Sequence, residues 1–318
     1  MPEMIPRPRL SAYHLPCMGT VSWGAAEELP ALVKRRSRRI EPVPAAAAES
    51  GSLPRKPQGV LFDVYGTLLV RIGEVHPHPA EMRRAVKALI RRHKLPIAAH
   101  ELAASLATAI RDEQAALRSQ GSTNPEVSIE RIWARLFPEH SDRDLREMIV
   151  EYELATHPAW PMPGCRRLLL ALARRGMRLG VISNAQFYTP IFLSVLLGAS
   201  LEELGFTADL CLYSCDFGVA KPDVALFDIA RQRLARMGLS SEAVVMVGND
   251  PLNDVEPATR SGFMTVLATL DARSQEATET RAASVRPDAV IRHLRSLESL
   301  IDPARRTGSR WRKEESHV

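Results

Sequence analysis

The chain has few cysteines and lacks any apolar run long enough for a transmembrane helix. Its 318 residues include four cysteines, and the spacing of Cys211 and Cys215 matches no zinc-binding pattern. We interpret the cysteines as small buried apolar groups in a reducing cytoplasm. No signal peptide is recognisable at the start of the sequence, so we expect a cytoplasmic protein without a membrane partner.

Net charge gives no indication of nucleic-acid binding in the central part of the chain. The formal charge is +5, but residues 1–57 hold nine Lys/Arg against five Asp/Glu, and residues 303–318 hold five against two. Residues 58–302 therefore carry a net charge of −2. We expect a small anionic substrate rather than a nucleic acid, and the oligomeric state stays open.

Residues 1–57 resemble a disordered, basic and proline-rich extension. They contain nine of the 23 prolines, an alanine run at 45–48 and a basic cluster at 34–39. Such a composition favours disorder, although residues 23–36 could form one short helix. The basic cluster could contact RNA or an acidic surface, but a solvated tail is the simpler interpretation. Residues 303–318 are expected to form a second disordered basic tail.

Four polar clusters follow apolar runs along the rest of the chain, each where a buried strand is expected to end. The first run, 59–62, ends in Asp63, with Gly66 and Thr67 just beyond. The others lead to Ser183 and Asn184, to Lys221, and to the pair Asp250 and Asp254. Strands are predicted near 59–63, 179–183, 209–214, 243–248, 264–267 and 288–291. Strands that alternate with helices predict a doubly wound parallel sheet, whose carboxyl edge would collect all four clusters.

The segment between the first two clusters has helical periodicity. Apolar residues recur every three or four positions over 81–93, 101–118, 127–137 and 142–156. Proline-rich connections flank the segment, near 71–79 and 156–163. We therefore predict an inserted, all-helical bundle over residues 72–158.

The ordered set of four motifs resembles the haloacid dehalogenase-like hydrolase superfamily from about residue 58 to residue 301. The resemblance implies an α/β Rossmann-like core over 58–71 and 159–302, and it implies that residues 72–158 are a helical cap of the C1 type. In that family the cap closes over the active site and usually selects the substrate.

The first motif supplies the candidate nucleophile. Asp63 could attack an electrophilic phosphorus or carbon and form a covalent intermediate that water hydrolyses. Ser183 and Thr67 would hydrogen-bond the transferring group, and Lys221 would offset negative charge. Asn184, Gln186 and Tyr188 are candidates for substrate contact, although helix capping and packing explain the last two equally well.

A magnesium site is expected beside the nucleophile. Asp63, Asp250 and Asp254 offer the hard oxygen ligands that Mg²⁺ prefers. The family resemblance adds the backbone carbonyl of Tyr65. Asn249 stands where many relatives carry the first acid of the fourth motif, so Asp250 is predicted as the direct ligand and Asp254 as its supporting partner.

Tyr65 is the main departure from the family's phosphatases, most of which carry an aspartate there as the general acid and base. The sequence Asp-Val-Tyr-Gly-Thr is similar to that of the 2-haloacid dehalogenases, which need neither a metal nor a proton donor. The acids of the fourth motif favour a magnesium-dependent phosphatase. Two alternatives remain: a dehalogenase, although no arginine of the insert is clearly placed to hold a haloacid carboxylate, and a non-catalytic binding protein.

Overall fold

A seven-stranded sheet forms the centre of the protein in the computed structural model, which describes residues 28–73, 78–274 and 285–302. The strands of the described chain are β1 (Ser50–Gly51), β2 (Gly59–Phe62), β3 (Leu69–Arg71), β4 (Ala159–Pro161), β5 (Arg178–Ser183), β6 (Phe206–Tyr213), β7 (Val244–Gly248), β8 (Met264–Ala268) and β9 (Ala289–Ile291). The sheet order is β1-β9-β8-β7-β2-β5-β6, and all neighbours are parallel except β1 and β9. All six predicted strands are confirmed, with ends displaced by at most three residues.

The helices flank this sheet and fill the insert. They are α1 (Glu28–Arg36), α2 (Pro79–Arg92), α3 (Ala99–Ser119), α4 (Ile129–Leu136), α5 (Asp142–Thr156), α6 (Cys165–Arg174), α7 (Thr189–Leu197), α8 (Ser214–Phe217), α9 (Ala225–Arg236), α10 (Glu256–Arg260) and α11 (Leu294–Ile301). Within the residues described, none of them is both long and apolar enough to span a membrane.

Strand β2 lies in the interior of the sheet, between β5 and β7, and both of its faces are covered. Its four residues are buried, with Val60 and Phe62 in one apolar cluster and Leu61 in the other. A strand buried on both faces carries a continuous apolar sequence, as this one does. Phe62 pairs with Val181 of β5 and Val247 of β7, so the three strands end at the same edge. This register places the residues that follow them side by side.

The insert is helical, as predicted. Helices α2 to α5 pack against one another around buried apolar side chains, among them Leu102, Trp133 and Met148. The sequence did not predict the antiparallel ribbon at its base, in which β3 pairs with β4. The two strands carry the chain out of the core and back, so the insert joins the core through a paired connection.

The amino-terminal segment differs from the prediction of disorder. From residue 28 onward it is ordered: α1 packs between α5 of the insert and α7 of the core, and buries Leu32 and Val33. Farther along, the backbone of Val43 bonds to Asp271, and β1 pairs with β9. The expectations for residues 1–27 and 303–318 fall outside the described residues.

Candidate active site

Asp63 is the first residue after β2 and lies at the carboxyl edge of the sheet. Its backbone N–H donates to the carbonyl of Val247 at 2.9 Å, which fixes it beside β7. Ser183 Oγ donates to its Oδ1 at 3.0 Å, and Lys221 Nζ donates to the same oxygen at 2.8 Å. The side chain keeps an exposed fraction of 10%. Among the described residues none donates to Oδ2, so this oxygen is available to a ligand.

Lys221 is the buried cation of the site. Its ammonium donates to Asp63 Oδ1 at 2.8 Å, to Asp254 Oδ1 at 2.5 Å and to the carbonyl of Ile182 at 3.0 Å. Burial alone would lower the pKa of Lys221, but the carboxylates of Asp254 and Asp63 outweigh it and raise that pKa well above its ordinary value. The amide of Asn184 donates to the lysine carbonyl at 3.0 Å and accepts from its N–H at 2.7 Å. Asn184 therefore holds the lysine backbone in place.

The two carboxylates that follow β7 point in different directions. Asp250 caps its own turn: Oδ1 accepts from the N–H groups of Leu252 at 2.8 Å and Asn253 at 3.1 Å, and Oδ2 accepts from the Asn253 amide at 2.7 Å. Asp254 Oδ1 binds Lys221, and its Oδ2 accepts from the Asp250 N–H at 3.0 Å. Asp254, predicted as the supporting acid, is therefore the one that reaches the buried lysine.

The two carboxylates beside Lys221 suit the binding of a cation, but only Asp63 and Asp254 of the predicted metal-binding acids meet there. Burial, together with the charge of Asp63, raises the pKa of Asp254 to about 7 despite the opposing effect of Lys221. Asp63 and Asp254 share one ammonium, so a cation would offset the remaining negative charge when both carboxylates are ionised. Asp250 is turned away, and the part of the chain that the structure describes contains no group of three His, Cys, Asp or Glu side chains arranged around a metal position.

The loop after Asp63 packs against Asn249. Gly66 has φ +86°, and a Cβ there would lie 2.6 Å from Asn249 Nδ2, so only glycine fits without displacing the amide. Thr67 is fully buried and donates to Asn249 Oδ1 at 3.4 Å. The threonine hydroxyl thus contacts Asn249 rather than Asp63, and its contact with a transferring group stays a prediction.

Tyr65 lies in a polar network at the base of the insert. Its hydroxyl is 2.9 Å from Thr189 Oγ1, and the guanidinium carbon of Arg71 is 4.8 Å from the centre of its ring. Arg71 donates in turn to Glu153 Oε1 at 2.5 Å. Burial raises the pKa of Tyr65 above its ordinary value, which makes this phenol a weak acid near neutral pH. A raised pKa makes Tyr65 a poorer proton donor than the aspartate that most phosphatases of the family carry there.

Gln186 and Tyr188 contact the insert. Tyr188 is buried and packs on Phe192 with ring centres 5.2 Å apart; burial and the nearby charge of Glu153 raise the pKa of its phenol well above the ordinary value. The Gln186 amide donates to the carbonyl of Val127 at 2.9 Å. These contacts correspond to the packing alternative in the sequence analysis, and substrate contact by either residue stays a prediction.

A sequence model of the haloacid dehalogenase-like hydrolases matches residues 57–262. The matched segment carries Asp63, Ser183, Lys221 and Asp254, which the fold brings together at one sheet edge. The chain belongs to the haloacid dehalogenase-like hydrolases. The resemblance drawn from the four ordered motifs is thereby confirmed. Helix α1 and strand β1 precede the matched segment.

Two curated relatives match part of this family member. It is 34% identical over 109 residues to glyceraldehyde 3-phosphate phosphatase of Methanothermobacter thermautotrophicus, over 34% of this chain and 44% of the relative. It is 30% identical over 143 residues to pyrimidine 5′-nucleotidase YjjG of Escherichia coli, over 44% of this chain and 56% of the relative. The chain therefore spans about half the length of the curated relatives it matches.

A solved 2-haloacid dehalogenase from Pseudomonas syringae pv. Tomato DC3000 is similar in fold. The TM-score is 0.50 at 22% sequence identity, over 78% of this chain and 99% of that structure. At this level of identity the likeness shows a shared fold and no more.

Four residues that contact the site or its supports were not predicted to lie there: Arg71, Glu126, Glu153 and Asn249. Glu153 could have been found, because it lies four residues after Ile149 on the apolar stripe of α5, where a carboxylate needs a buried partner. Asn249 was noticed only as a departure from the family pattern. Arg71 and Glu126 carry no comparable local signal, since their partners are distant in sequence.

Proposed function

We propose that this hydrolase is a phosphatase that acts on a small, anionic phosphorylated metabolite through an aspartyl-phosphate on Asp63. The observation that carries the proposal is the state of the Asp63 carboxylate. One oxygen is held by Ser183 and Lys221, while the other accepts no hydrogen bond from a described residue. The names of the two partial relatives, a phosphatase and a nucleotidase, support the same reaction class.

Asp63 Oδ2 would attack the phosphorus while the bond from phosphorus to the leaving oxygen breaks, and that oxygen takes the electron pair. Water would then attack the phosphorus of the acyl phosphate, releasing inorganic phosphate and restoring the carboxylate. Lys221, held by Asn184, would offset the negative charge near Asp63, and Ser183 would keep the carboxylate oriented.

Magnesium dependence belongs to this proposal, since members of the family generally use Mg²⁺. Asp63, with the backbone carbonyl of Tyr65 and the two predicted acids Asp250 and Asp254, would hold the ion. When bound, it would supply positive charge between the carboxylate and the phosphate. The reaction steps assigned above to Asp63, Ser183 and Lys221 do not depend on where it binds.

The domain roles are part of the same proposal. Residues 58–71 and 159–302 would form the catalytic core, and residues 72–158 a cap that closes over the site. We also propose a cytoplasmic location. No nucleic-acid or membrane partner is proposed.

The missing acid at Tyr65 limits the substrates. A phosphatase without a proton donor to the leaving group loses roughly 10²- to 10⁴-fold on substrates with poor leaving groups. The leaving groups of acyl phosphates and aryl phosphates depart without this help. We therefore expect turnover of acetyl phosphate and p-nitrophenyl phosphate to exceed that of sugar phosphates.

A second candidate is a dehalogenase that displaces halide from a 2-haloacid. The observation that favours it is the position of Arg71, which was not predicted. Its guanidinium lies over the ring of Tyr65, and Tyr65 follows the nucleophile by two residues in sequence. Halide needs no proton to leave, so Tyr65 would be no handicap to this reaction.

An assay with Mg²⁺ and with EDTA separates the two candidates. Wild type and Asp63→Asn would be tested on acetyl phosphate, p-nitrophenyl phosphate and 2-chloropropionate. The phosphatase proposal expects phosphate release that EDTA abolishes, that Mg²⁺ restores and that Asp63→Asn lowers at least about 10³-fold. Chloride release insensitive to EDTA would instead establish the dehalogenase. If folded Asp63→Asn turned over substrate at the wild-type rate, Asp63 would be the nucleophile in neither candidate reaction.

A further inference from the structure

The loop of the insert between α3 and α4 lies directly on the core segment that ends in Lys221. The Glu126 N–H donates to the carbonyl of Gly218 at 3.1 Å, and the Ala220 N–H donates to the carbonyl of Asn124 at 2.8 Å. The two backbones therefore form a short antiparallel contact, centred on the pair Pro125 and Val219. Insert and core are joined here by main-chain hydrogen bonds immediately before Lys221.

Glu126 extends this contact to the serine at the start of the same core segment. Its Oε2 accepts from Ser214 Oγ at 2.5 Å, and its Oε1 accepts from its neighbour's N–H, that of Val127, at 2.9 Å. Ser214 Oγ in turn accepts from the N–H of Ala185 at 2.9 Å. A carboxylate of the insert thus fixes Ser214, and Ser214 fixes the backbone just after Ser183 and Asn184.

Gln186 completes the contact from the core side. Its amide nitrogen donates to Glu126 Oε1 at 3.2 Å and to the carbonyl of Val127 at 2.9 Å, while its amide oxygen accepts from the Ile129 N–H at 3.0 Å. Every polar atom of the Gln186 side chain is therefore used on the insert. Glu126 holds two core segments at once, 183–186 and 214–221.

These two segments carry the groups that act on Asp63. Ser183 and Lys221 both donate to Asp63 Oδ1, and Asn184 links their backbones. A displacement of either segment would therefore move a donor away from the nucleophile. Because catalytic hydrogen bonds lose effect with sub-ångström displacement, contacts that fix both segments bear directly on the rate.

We propose that Glu126 is a positioning residue of the insert, which aligns Ser183 and Lys221 on Asp63 by clamping segments 183–186 and 214–221 when the insert lies against the core. The role rests on the proposed function, since it concerns the turnover that Asp63 would support. It makes the helical insert part of the machinery that orders the catalytic groups, in addition to any role in choosing the substrate.

The matched control is Glu130, which lies four residues farther along the insert. Its carboxylate accepts from Arg146 at 2.6 Å, and both residues belong to the insert. Glu130→Gln removes a charge of the same sign from the same region while leaving the hydrogen bonds of Glu126 to segments 183–186 and 214–221 in place. Glu126→Gln keeps an oxygen that can accept from Ser214, so it separates the loss of the contact from the loss of charge.

The test compares wild type, Glu126→Ala, Glu126→Gln and Glu130→Gln by steady-state kinetics on acetyl phosphate and by hydrogen–deuterium exchange. Glu126→Ala is expected to lower kcat about 10- to 100-fold while KM changes less than about threefold, and to speed exchange over 183–190 and 214–223. Glu126→Gln should recover most of both losses, and Glu130→Gln should match wild type.

Three outcomes would overturn the role: unchanged kcat in Glu126→Ala, unchanged exchange over both segments, or an equal loss in Glu130→Gln. Failure of the proposed function gives a different pattern. Wild type would then release no phosphate, while faster exchange in Glu126→Ala would still show that Glu126 orders the two segments. The exchange measurement needs no turnover, so it also decides the case for a variant of low activity.

Discussion

At the scale of single residues, the site is organised around one ammonium between two carboxylates. Lys221 has three acceptors for its three protons, so it is fully bonded although it is buried. A buried charge is tolerated when it is paired and hydrogen-bonded in this way. Among the described residues, one oxygen of Asp63 accepts two hydrogen bonds and the other accepts none, an asymmetry that suits the nucleophilic role we propose for this carboxylate.

Tyr65→Phe is expected to keep kcat on p-nitrophenyl phosphate within about threefold of wild type. The phenol contacts Thr189 and its pKa is raised by burial, so removing the hydroxyl takes no proton donor from the reaction. Kinetics of the purified variant check this, with Thr189→Val as the control that removes the other half of the same bond. A loss above about 30-fold in Tyr65→Phe alone would assign the hydroxyl a catalytic role.

At the scale of elements, α5 carries two buried carboxylates that connect it to its neighbours. Glu151 meets Arg36 of α1 and Arg92 of α2, and Glu153 meets Arg71 of β3. Burial alone would raise the pKa of Glu151, but contacts with His93 and Arg92 and the charge of Arg36 lower it to about 2. One acidic side chain thus joins three helices.

Glu151→Gln is expected to lower the free energy of unfolding by roughly 1–2 kcal/mol at pH 7, because the two arginines are partly exposed and the pair is partly screened. The folded pKa is depressed, so the stabilisation by Glu151 is present above pH 4.5 and is lost as the pH falls toward 2. The difference between the two proteins should therefore shrink over that interval.

Urea unfolding of wild type and Glu151→Gln at pH 7, 5 and 3 measures this difference. Glu147→Gln is the matched control. Glu147 lies on the same helix as Glu151 and forms no ion pair within the described part of the chain. A stability difference that is constant from pH 7 to pH 3 would contradict the assignment.

At the scale of the whole molecule, the amino-terminal segment joins the insert to the core. Helix α1 packs on α5 and on α7, while residues 43–51 bond to the far edge of the sheet. A helix of nine residues is only marginally stable by itself, so α1 depends on this docking. The segment precedes the part of the chain that the family model matches.

Leu32→Ala is expected to lower the free energy of unfolding by about 2–4 kcal/mol, the usual effect of truncating a buried leucine. Leu32 is 2% exposed, whereas Lys34 of the same helix is exposed. Lys34→Ala should therefore change stability by less than about 0.5 kcal/mol. Equal unfolding midpoints for wild type and Leu32→Ala in urea would show that α1 does not dock in solution.

Much of the fold was predictable because the strands are buried on both faces. Residues 59–62 and 244–248 are continuous apolar runs followed by polar side chains, so the sequence locates both the strands and the edge where they end. Helical periodicity revealed the insert in the same way. A short helix over 23–36 was considered possible, but the docking of α1 was not predicted, because it comes from contacts with distant helices.

The sequence by itself determined that Asp63, Ser183, Lys221 and an acid after β7 would meet at one sheet edge, because parallel strands of matched register bring their ends together. Only the tertiary structure decided that Asp254 binds the lysine and Asp250 caps its own turn, since both acids follow the same strand and differ in the direction of their side chains. It also decided that Gln186 and Glu126 join the insert to the core. Such contacts link segments about 60 to 90 residues apart. They depend on how the insert and the core pack against each other, which the sequence pattern of neither part specifies.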